Sequence, residues 1–272
     1  MKKSLLLVTD LTNGDEQEDL FFRDALAKHF TVSVSSLEMV REHEDHVDCI
    51  LLKNAWPHVQ SVQEMKGYRK MKEGVLQRFR EKNLVTYNHL SGRGDAIGKD
   101  HLFELYESDF PVIPSFRDYQ ASQQFACDQF FLKPRCGLSS VGTQIKKKED
   151  LTEEDFFDNV VQEYMHFAYE VSFYFIDGVF AYALYAPDTE ERWQLKKYSP
   201  TDEELLWSEN FVEWNTLEYG FQRIDACKTK DGKLLLMEIE DDYPFWSFLD
   251  LDQKTQKIVF DNFLASLQKN CF

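Results

Sequence analysis

The stretch 223-RIDACKTKDGKLLLMEIE-240 sets two β-prone runs on either side of an Asp-Gly dipeptide. Asp-Gly in this setting is a strong signal for a β-hairpin with a two-residue turn. With that dipeptide at the turn, Asp225 lies opposite Glu238 and Arg223 lies opposite Glu240. Because side chains alternate between the two faces of a strand, all four project from the same face.

The other face of this hairpin is mostly apolar, so we expect it to be buried. It carries Ile224, Ala226, Leu235, Met237 and Ile239. Two carboxylates directly opposite each other destabilise a sheet by about 0.2–1 kcal/mol, so a nearby cation is expected. Three carboxylates within reach of one point suit Mg²⁺, which prefers oxygen ligands. The competing interpretation is an ordinary solvated acidic face bridged by Arg223.

A second hairpin, 170-EVSFYFIDGVFAYAL-184, has its own Asp-Gly turn at 177–178. This turn places Glu170 on the face opposite the predicted core side, where it is free to line a cleft. The predicted core side consists of Val171, Phe173, Phe175, Phe180, Tyr182 and Leu184.

The segment 130-FFLKPRCGLSSVGTQI-145 has the composition of an anion-binding loop between two strands. Lys133 ends the first strand, and Pro134 has no N–H to commit to a ladder. The small residues that follow can bring backbone amides and hydroxyls close to an anion. The segment lacks the order of a P-loop, and a plain polar hairpin loop stays open as the alternative.

The N-terminal third alternates strands and helices, which predicts a small open parallel sheet. We expect strands at 4–10, 31–37, 47–53 and 84–88, with helices at 16–30 and about 59–82. The loop 91–98 breaks the pattern and marks the first domain boundary.

Composition limits the classes of partner. The 272 residues carry a net charge of −17, which disfavours nonspecific binding to nucleic acid or an anionic membrane. No run approaches the roughly 18–20 apolar residues of a membrane span. The five cysteines form no C-x-x-C pair, which is typical of reduced thiols in a cytosol. We therefore expect a cytoplasmic protein.

The order of these motifs resembles the ATP-grasp superfamily of carboxylate–amine ligases, especially its D-alanine–D-alanine ligase and glutathione synthetase branches. KPRCGLSSVG is followed by QEYM, then by Glu170, and finally by RID and EIE. The resemblance implies an α/β fold with an N-terminal α/β domain, 1–90, and an ATP-grasp domain, 91–272. Its two subdomains would cover about 100–165 and about 166–272, with ATP between them.

The resemblance also implies a nucleotide site. Two lysines and the small-residue loop would contact the phosphates, one acid and the hinge after it would take the adenine, and a second acid would take the ribose. Lys196 competes with Lys197 for the role of a further phosphate-side lysine. The implied ATP-binding residues are Lys99, Lys133, Ser139, Ser140, Gly142, Glu163, Tyr164, Met165, Glu170 and Lys197.

The same resemblance implies that Asp225, Glu238 and Glu240 bind Mg²⁺, with Mn²⁺ as a substitute, and that Arg223 and Lys133 are catalytic. The family usually reads E-x-N at its last metal site, whereas this chain reads E-x-E at 238–240. Variants with E-x-E occur in smaller amide-forming members, so this departure does not remove the metal prediction.

The expected activity is ATP-dependent formation of an amide or peptide bond through an acyl phosphate, with release of ADP and phosphate. The expected partners are a small amino-acid or peptide-like carboxylate and an amine. Three alternatives stay open: an intramolecular cyclo-ligase of an amino-acid derivative, an ATP-grasp small-molecule kinase, and a non-catalytic nucleotide-binding protein. A homodimer is compatible with the sequence but is not fixed by it.

Overall fold

A computed structural model describes residues 2–10, 16–55, 61–137, 140–188, 191–241, 244 and 246–272. These residues form three sheets that follow one another along the sequence. Short 3₁₀ turns lie at Val40–Glu42, Glu44–His46, Asp95–Ile97, Lys148–Asp150 and Phe248–Asp250. Within the described ranges, no helix combines the length and the apolar character that crossing a membrane requires.

The first sheet is parallel and confirms the predicted N-terminal α/β segment. Leu5 to Val8 are fully buried, as expected for a parallel strand that is covered on both faces. The strand order is β2-β1-β3-β4. The elements are β1 Ser4–Val8, α1 Glu16–Leu26, β2 Thr31–Ser35, β3 Cys49–Leu52, α2 Val62–Lys82 and β4 Thr86–Tyr87.

The second sheet is antiparallel and holds the predicted anion-binding loop between two neighbouring strands. Its strand order is β5-β8-β6-β7. The elements are α3 His101–Glu107, β5 Ser115–Phe116, α4 Tyr119–Gln124, β6 Gln129–Pro134, β7 Gln144–Lys147, α5 Asp155–Asp158 and β8 Asn159–Glu163.

The third sheet is antiparallel and contains both predicted hairpins. Its strand order is β11-β10-β9-β12-β13, so β13 is an edge strand. The elements are β9 Phe167–Ile176, β10 Val179–Ala186, β11 Lys196–Tyr198, α6 Asp202–Asn215, β12 Phe221–Thr229, β13 Leu234–Glu240 and α7 Gln253–Cys271.

The two faces of the third sheet have different neighbours. One face packs with residues of α3 and α6 around Phe173 and Ile224. The opposite face divides in two. At one end Tyr174 and Ile176 join a core that includes the first sheet and α7. Towards the other end the side chains are polar, and these form the candidate site.

A buried ion triad joins the first sheet to the segment after β13. The Lys53 ammonium lies 2.7 Å from Glu18 Oε1 and 3.0 Å from Asp19 Oδ1, and all three side chains are buried. The Phe248 N–H donates to the other Glu18 oxygen at 2.6 Å. The chain that leaves β13 is therefore tied to the N-terminal sheet by charged groups as well as by apolar packing.

The β12–β13 hairpin corrects the predicted turn but confirms the predicted pairs at the site. Its loop has three residues, because the Thr229 N–H bonds to the Lys233 carbonyl. A bulge follows, since Ala226 pairs with Leu236 while Asp225 pairs with Glu238, leaving Met237 as the extra residue. The longer loop and the bulge shift the register in opposite directions and cancel at the acids.

The bulge also corrects the predicted core face of this hairpin. Leu235 and Met237, which we expected to be buried with Ile224, are partly exposed instead. Leu234 and Leu236 take the buried positions. Between the turn and the bulge, the extra residue exchanges the buried and exposed positions of β13 relative to the prediction. Beyond the bulge, from Glu238 to Glu240, the buried and exposed positions are as predicted.

The β9–β10 hairpin contains a similar irregularity. Phe180 pairs with Phe175 as expected, but the register then shifts and Tyr182 pairs with Tyr174. Tyr182 and Leu184 therefore share a face with Tyr174 rather than with Phe173, and the prediction for these two residues was wrong. Both are nevertheless buried, because that face also carries a core.

Candidate functional site

The candidate site is built on the polar end of the third sheet. Across β12 and β13, Arg223 pairs with Glu240 and Asp225 pairs with Glu238, as predicted. On the other side of β12, Asp225 lies opposite Ser172 of β9. Aligned pairs on neighbouring antiparallel strands project from one face, so these side chains stand together.

Arg223 bridges two of the acids. Its guanidinium lies 2.7 Å from Asp225 Oδ2 and 2.5 Å from Glu240 Oε1. The Ser172 hydroxyl donates to Asp225 Oδ1 at 2.7 Å. Burial raises the pKa of Glu240 to about 7, and the Asp225 carboxylate adds to the shift while Arg223 opposes it. The site therefore holds more acidic groups than its one guanidinium neutralises.

Two buried lysines approach these acids from the second sheet and the segment before α3. The Lys99 ammonium forms an ion pair with Glu238. The Lys133 ammonium donates to the carbonyl of the bulged residue Met237 at 3.2 Å. Burial lowers the pKa of both lysines, that of Lys133 to about 7 with the Lys99 charge contributing. An incoming anion would find two poorly solvated ammonium groups.

The predicted anion-binding loop turns sharply between β6 and β7. The Gly137 N–H closes a turn on the Pro134 carbonyl at 2.8 Å. Gly142 has a φ of 79°, and a Cβ there would lie 2.4 Å from Val62 of α2. Ser140, in the same loop, has a φ of 60°. Ser139 lies outside the described residues. Glycine at 142 therefore allows both the turn and the close approach of α2.

The predicted adenine side lies where β8 ends. Glu163 is half-buried, and burial raises the pKa of its carboxyl. The Glu163 N–H bonds to the Pro114 carbonyl and the Tyr164 N–H bonds to the Gln129 carbonyl. Met165 continues this partly buried connection into β9. The connection joins the second sheet to the third.

The predicted ribose acid, Glu170, lies at the same polar end of the third sheet. It faces Cys227 on β12 and is bound by Arg192, at 3.0 Å from the guanidinium. Arg192 also lies 3.5 Å from the Ser140 hydroxyl of the anion-binding loop. Sequence reasoning missed this arginine, because nothing in the motif order marks the β10–β11 connection.

The register of β11 distinguishes the two candidate lysines. Lys197 pairs with Leu184, which pairs with Ser172, so Lys197 and not Lys196 shares the face of the acids. Its exposed ammonium lies 3.2 Å from the Thr255 hydroxyl at the start of α7. Lys197 therefore lies on the same face as the acids but at the edge of the candidate site.

A fourth carboxylate was missed by sequence reasoning. Asp241 directly follows β13 and is buried, accepting the N–H of Gly94 at 2.8 Å and that of Ala96 at 2.9 Å. Burial and the neighbouring Asp95 raise the pKa of Asp241 to about 8. The run E-x-E-D at 238–241 was its only signal, and the loop 91–98 proves to wrap around this carboxyl.

The predicted metal ligands Asp225, Glu238 and Glu240 are occupied by protein cations. In the part of the chain that the structure describes, no three His, Cys, Asp or Glu side chains are grouped as ready metal ligands. The donor set nevertheless fits a hard divalent ion, since it consists of three carboxylates that project from one face.

Solved structures resemble this chain although no protein-family model matches it and no curated protein does. D-cycloserine synthetase DcsG is 15% identical with a TM-score of 0.71, covering 94% of this chain and 97% of that one. The ATP-grasp ligase PsnB complexed with a minimal precursor is 16% identical with a TM-score of 0.65, covering 98% and 99%.

D-alanine–D-alanine ligase from Bacillus anthracis, complexed with ATP, is 14% identical with a TM-score of 0.65, covering 99% of this chain and 98% of that one. These likenesses extend over almost the whole of each chain. The chain therefore has the ATP-grasp fold, and the fold predicted from the motif order is confirmed.

Proposed function

We propose that the protein is an ATP-dependent carbon–nitrogen ligase that joins a small carboxylate to an amine and releases ADP and phosphate. The observation that carries this proposal is the set of opposed charges at one end of the third sheet. Two buried ammonium groups, Lys99 and Lys133, lie against a strand pair that presents three carboxylates and one guanidinium. This fold and this charge pattern together suit transfer of a phosphoryl group.

The reaction needs activation because a carboxylate is a poor acyl donor. A substrate carboxylate oxygen takes the γ-phosphoryl group, which forms an acyl phosphate and leaves ADP. Lys99 and Lys133 spread the charge of the transferring group. The amine nitrogen then bonds to the acyl carbon, phosphate leaves with the electrons of the C–O bond, and the nitrogen loses a proton. Arg223 stabilises the negative oxygen of the tetrahedral stage.

Magnesium would supply charge neutralisation at the phosphate oxygens, and Asp225, Glu238 and Glu240 would hold it. Mn²⁺ has similar ligand preferences and is the expected substitute. In this proposal the lysine–acid and arginine–acid pairs of the free protein rearrange when nucleotide and metal enter. Lys99 and Arg223 then turn from the carboxylates to the phosphate and the substrate.

The nucleotide would lie between the second and third sheets. Glu163 accepts from the adenine amino group, and the backbone of Tyr164 and Met165 forms the hinge beside the ring. Glu170 binds the ribose, which requires Arg192 to release it. The anion-binding loop with Ser139, Ser140 and Gly142 covers the β- and γ-phosphates, and Lys197 serves from the edge of the site.

The similarity to these solved structures supports substrates of amino-acid or peptide character. Those neighbours are a D-cycloserine synthetase, an ATP-grasp ligase complexed with its minimal precursor, and a D-alanine–D-alanine ligase. An intramolecular cyclo-ligase is the second candidate, and the E-x-E ending at 238–240 favours it. One substrate that carries both the carboxylate and the amine would then lose the elements of water.

The test is to screen amino acids and dipeptides, singly and in pairs, for ADP release with mass detection of products. We expect an amide product, and Lys133→Ala and Glu238→Gln should each abolish ADP release without unfolding the protein. Lys147→Ala is the matched control, because this exposed lysine lies on the same sheet away from the site. Wild-type turnover by either site variant would contradict the assigned site.

The product distinguishes the remaining alternatives. A stable phosphorylated product that forms without an amine would indicate a kinase. Nucleotide binding without turnover across the screen would indicate a non-catalytic binding protein. A product from one substrate alone, lighter by one water, would indicate the cyclo-ligase.

A further inference from the structure

One fully buried histidine, His101, connects the loop that carries Lys99 to the strand that carries the acids. It opens α3 and has no exposed surface. Its Nδ1 lies 3.0 Å from the Gly98 carbonyl oxygen. Its Nε2 lies 3.3 Å from the backbone nitrogen of Ile239, the residue between Glu238 and Glu240.

The two partners fix which nitrogen of His101 carries the proton. A carbonyl oxygen can only accept, so Nδ1 must donate to Gly98. A backbone N–H can only donate, so Nε2 must accept from Ile239 and carries no hydrogen. The imidazole is therefore neutral and in the Nδ1–H form, because a second ring proton would face the Ile239 N–H. Burial, which lowers the pKa of His101 to about 4, agrees with this assignment.

The Ile239 N–H needs this partner because β13 is the edge strand of its sheet, and among the described residues the only β-pairing beyond it is an isolated bridge at Leu236. A buried backbone donor without an acceptor is unfavourable, and the strand would have to shift to find one. Such a shift would move Glu238 and Glu240 together, since they flank Ile239. On the other side of the ring, Gly98 directly precedes Lys99, whose ammonium pairs with Glu238.

We propose that His101 is a positioning residue that holds the Lys99 loop and the acid-bearing strand at a fixed separation for phosphoryl transfer. This proposal rests on the proposed function. His101 reaches neither nucleotide nor substrate and acts through the carbonyl of Gly98 and the amide of Ile239. His101 would thus orient the metal ligands without contacting the metal. Loss of such a residue typically lowers activity or metal affinity by about 10- to 100-fold.

Two variants separate the two ring nitrogens. In His101→Gln the amide oxygen can reach the position of Nε2 and accept from Ile239. In His101→Asn the shorter side chain places its amide near Nδ1 and leaves the Ile239 N–H without an acceptor. We expect His101→Asn to lower kcat by about tenfold or more and to raise the Mg²⁺ concentration for half-maximal rate, with the KM for ATP changed much less.

His101→Gln should recover most of the lost rate and the wild-type Mg²⁺ dependence. Equal loss in both variants, or no loss in His101→Asn, would overturn the positioning role. Thermal unfolding of both variants reports whether a lower rate reflects a misfolded protein. If wild-type protein forms no ADP with any substrate, the proposed function fails instead, so the two failures are distinguishable.

The wild-type protein provides a further measurement that needs neither turnover nor a folded Asn variant. Correlation of ring nitrogens with ring protons by NMR reports the tautomer of each histidine, and the His101 signals are those absent from His101→Gln. We expect the Nδ1–H form, unchanged from about pH 6 to about pH 8, where an exposed histidine titrates. An Nε2–H form, or titration in that range, would refute the contact with Ile239 on which the proposal depends.

Discussion

Deleting Met237 tests whether the bulge in β13 exists to hold Lys133. Met237 is the residue without a partner on β12, and its carbonyl accepts the Lys133 ammonium at 3.2 Å. Without it, Leu236 would be followed directly by Glu238. The strand would then alternate regularly, with the acids still on the face of Asp225. The deletion removes one carbonyl and spares the acid-bearing face.

The expected loss can be worked out from that contact. A hydrogen bond from a charged group contributes about 1.5–3 kcal/mol, and about 1.4 kcal/mol corresponds to a factor of ten. If the carbonyl aims the Lys133 ammonium at the phosphate, kcat/KM should fall by about 10- to 100-fold. The assay is steady-state ADP release, with thermal unfolding to verify that the variant folds.

The matched control shortens the same hairpin elsewhere. Lys230 is an exposed residue of the three-residue loop, and its deletion would leave the two-residue Asp-Gly turn. This change touches neither the bulge nor the acids, so kcat/KM should stay at the wild-type value. Wild-type kcat/KM in the Met237 deletion would refute the role of the bulge, and so would equal losses in the two deletions.

Two further predictions concern buried lysines. Lys53→Met should lower the free energy of unfolding by about 3–5 kcal/mol in urea titrations, because it leaves two buried carboxylates without their cation. Lys3→Met, which breaks an exposed ion pair, should change that free energy by less than about 1 kcal/mol. Nucleotide binding measured without Mg²⁺ should take up protons near neutral pH, whereas a bound metal would also release the proton of Glu240. Burial and the Lys99 charge hold the pKa of Lys133 near 7 in the free protein, and a bound phosphate favours its charged form. Affinity should therefore fall as the pH rises above about 7, and calorimetry in buffers of different ionisation enthalpy measures the uptake; zero uptake would contradict the prediction.

Sequence reasoning reached the fold because the order of its motifs resembles the ATP-grasp superfamily, and local signals supported the individual elements. Strands alternate with helices up to about residue 88, and the two Asp-Gly turns each lie between β-prone runs. The pairing of Asp225 with Glu238 was also predicted correctly, although two irregularities of the hairpin had to cancel. The bulge at Met237 has no local sequence signal. The Asp-Gly dipeptide fits loops of two or three residues, because Gly232 in the left-handed region also suits the third position of the longer loop.

Sequence reasoning missed three residues of the site for a different reason. His101, Arg192 and Asp241 each act through a partner that is distant in sequence: Ile239, the Glu170 carboxylate and the amides of the 94–96 segment. A motif reports spacing along one segment, so it cannot report contacts that form only when distant segments of the chain pack together. The short run E-x-E-D contained Asp241, but only the wrapped loop shows why that carboxyl is buried.

One edge of β13, the strand that carries the acids, pairs with no other named strand of its sheet. The contacts that cover this edge link the site to the rest of the molecule. An edge strand exposes unpaired backbone groups, and proteins usually cover or block them. Here the Leu236 N–H bonds to the Pro111 carbonyl, the Met237 carbonyl to Lys133, the Ile239 N–H to His101 and the Asp241 N–H to Asp95. All four partners come from the chain before β9. The position of the acids is therefore set by the chain before β9 as much as by their own sheet, and we expect a shift of that segment relative to the third sheet to displace them.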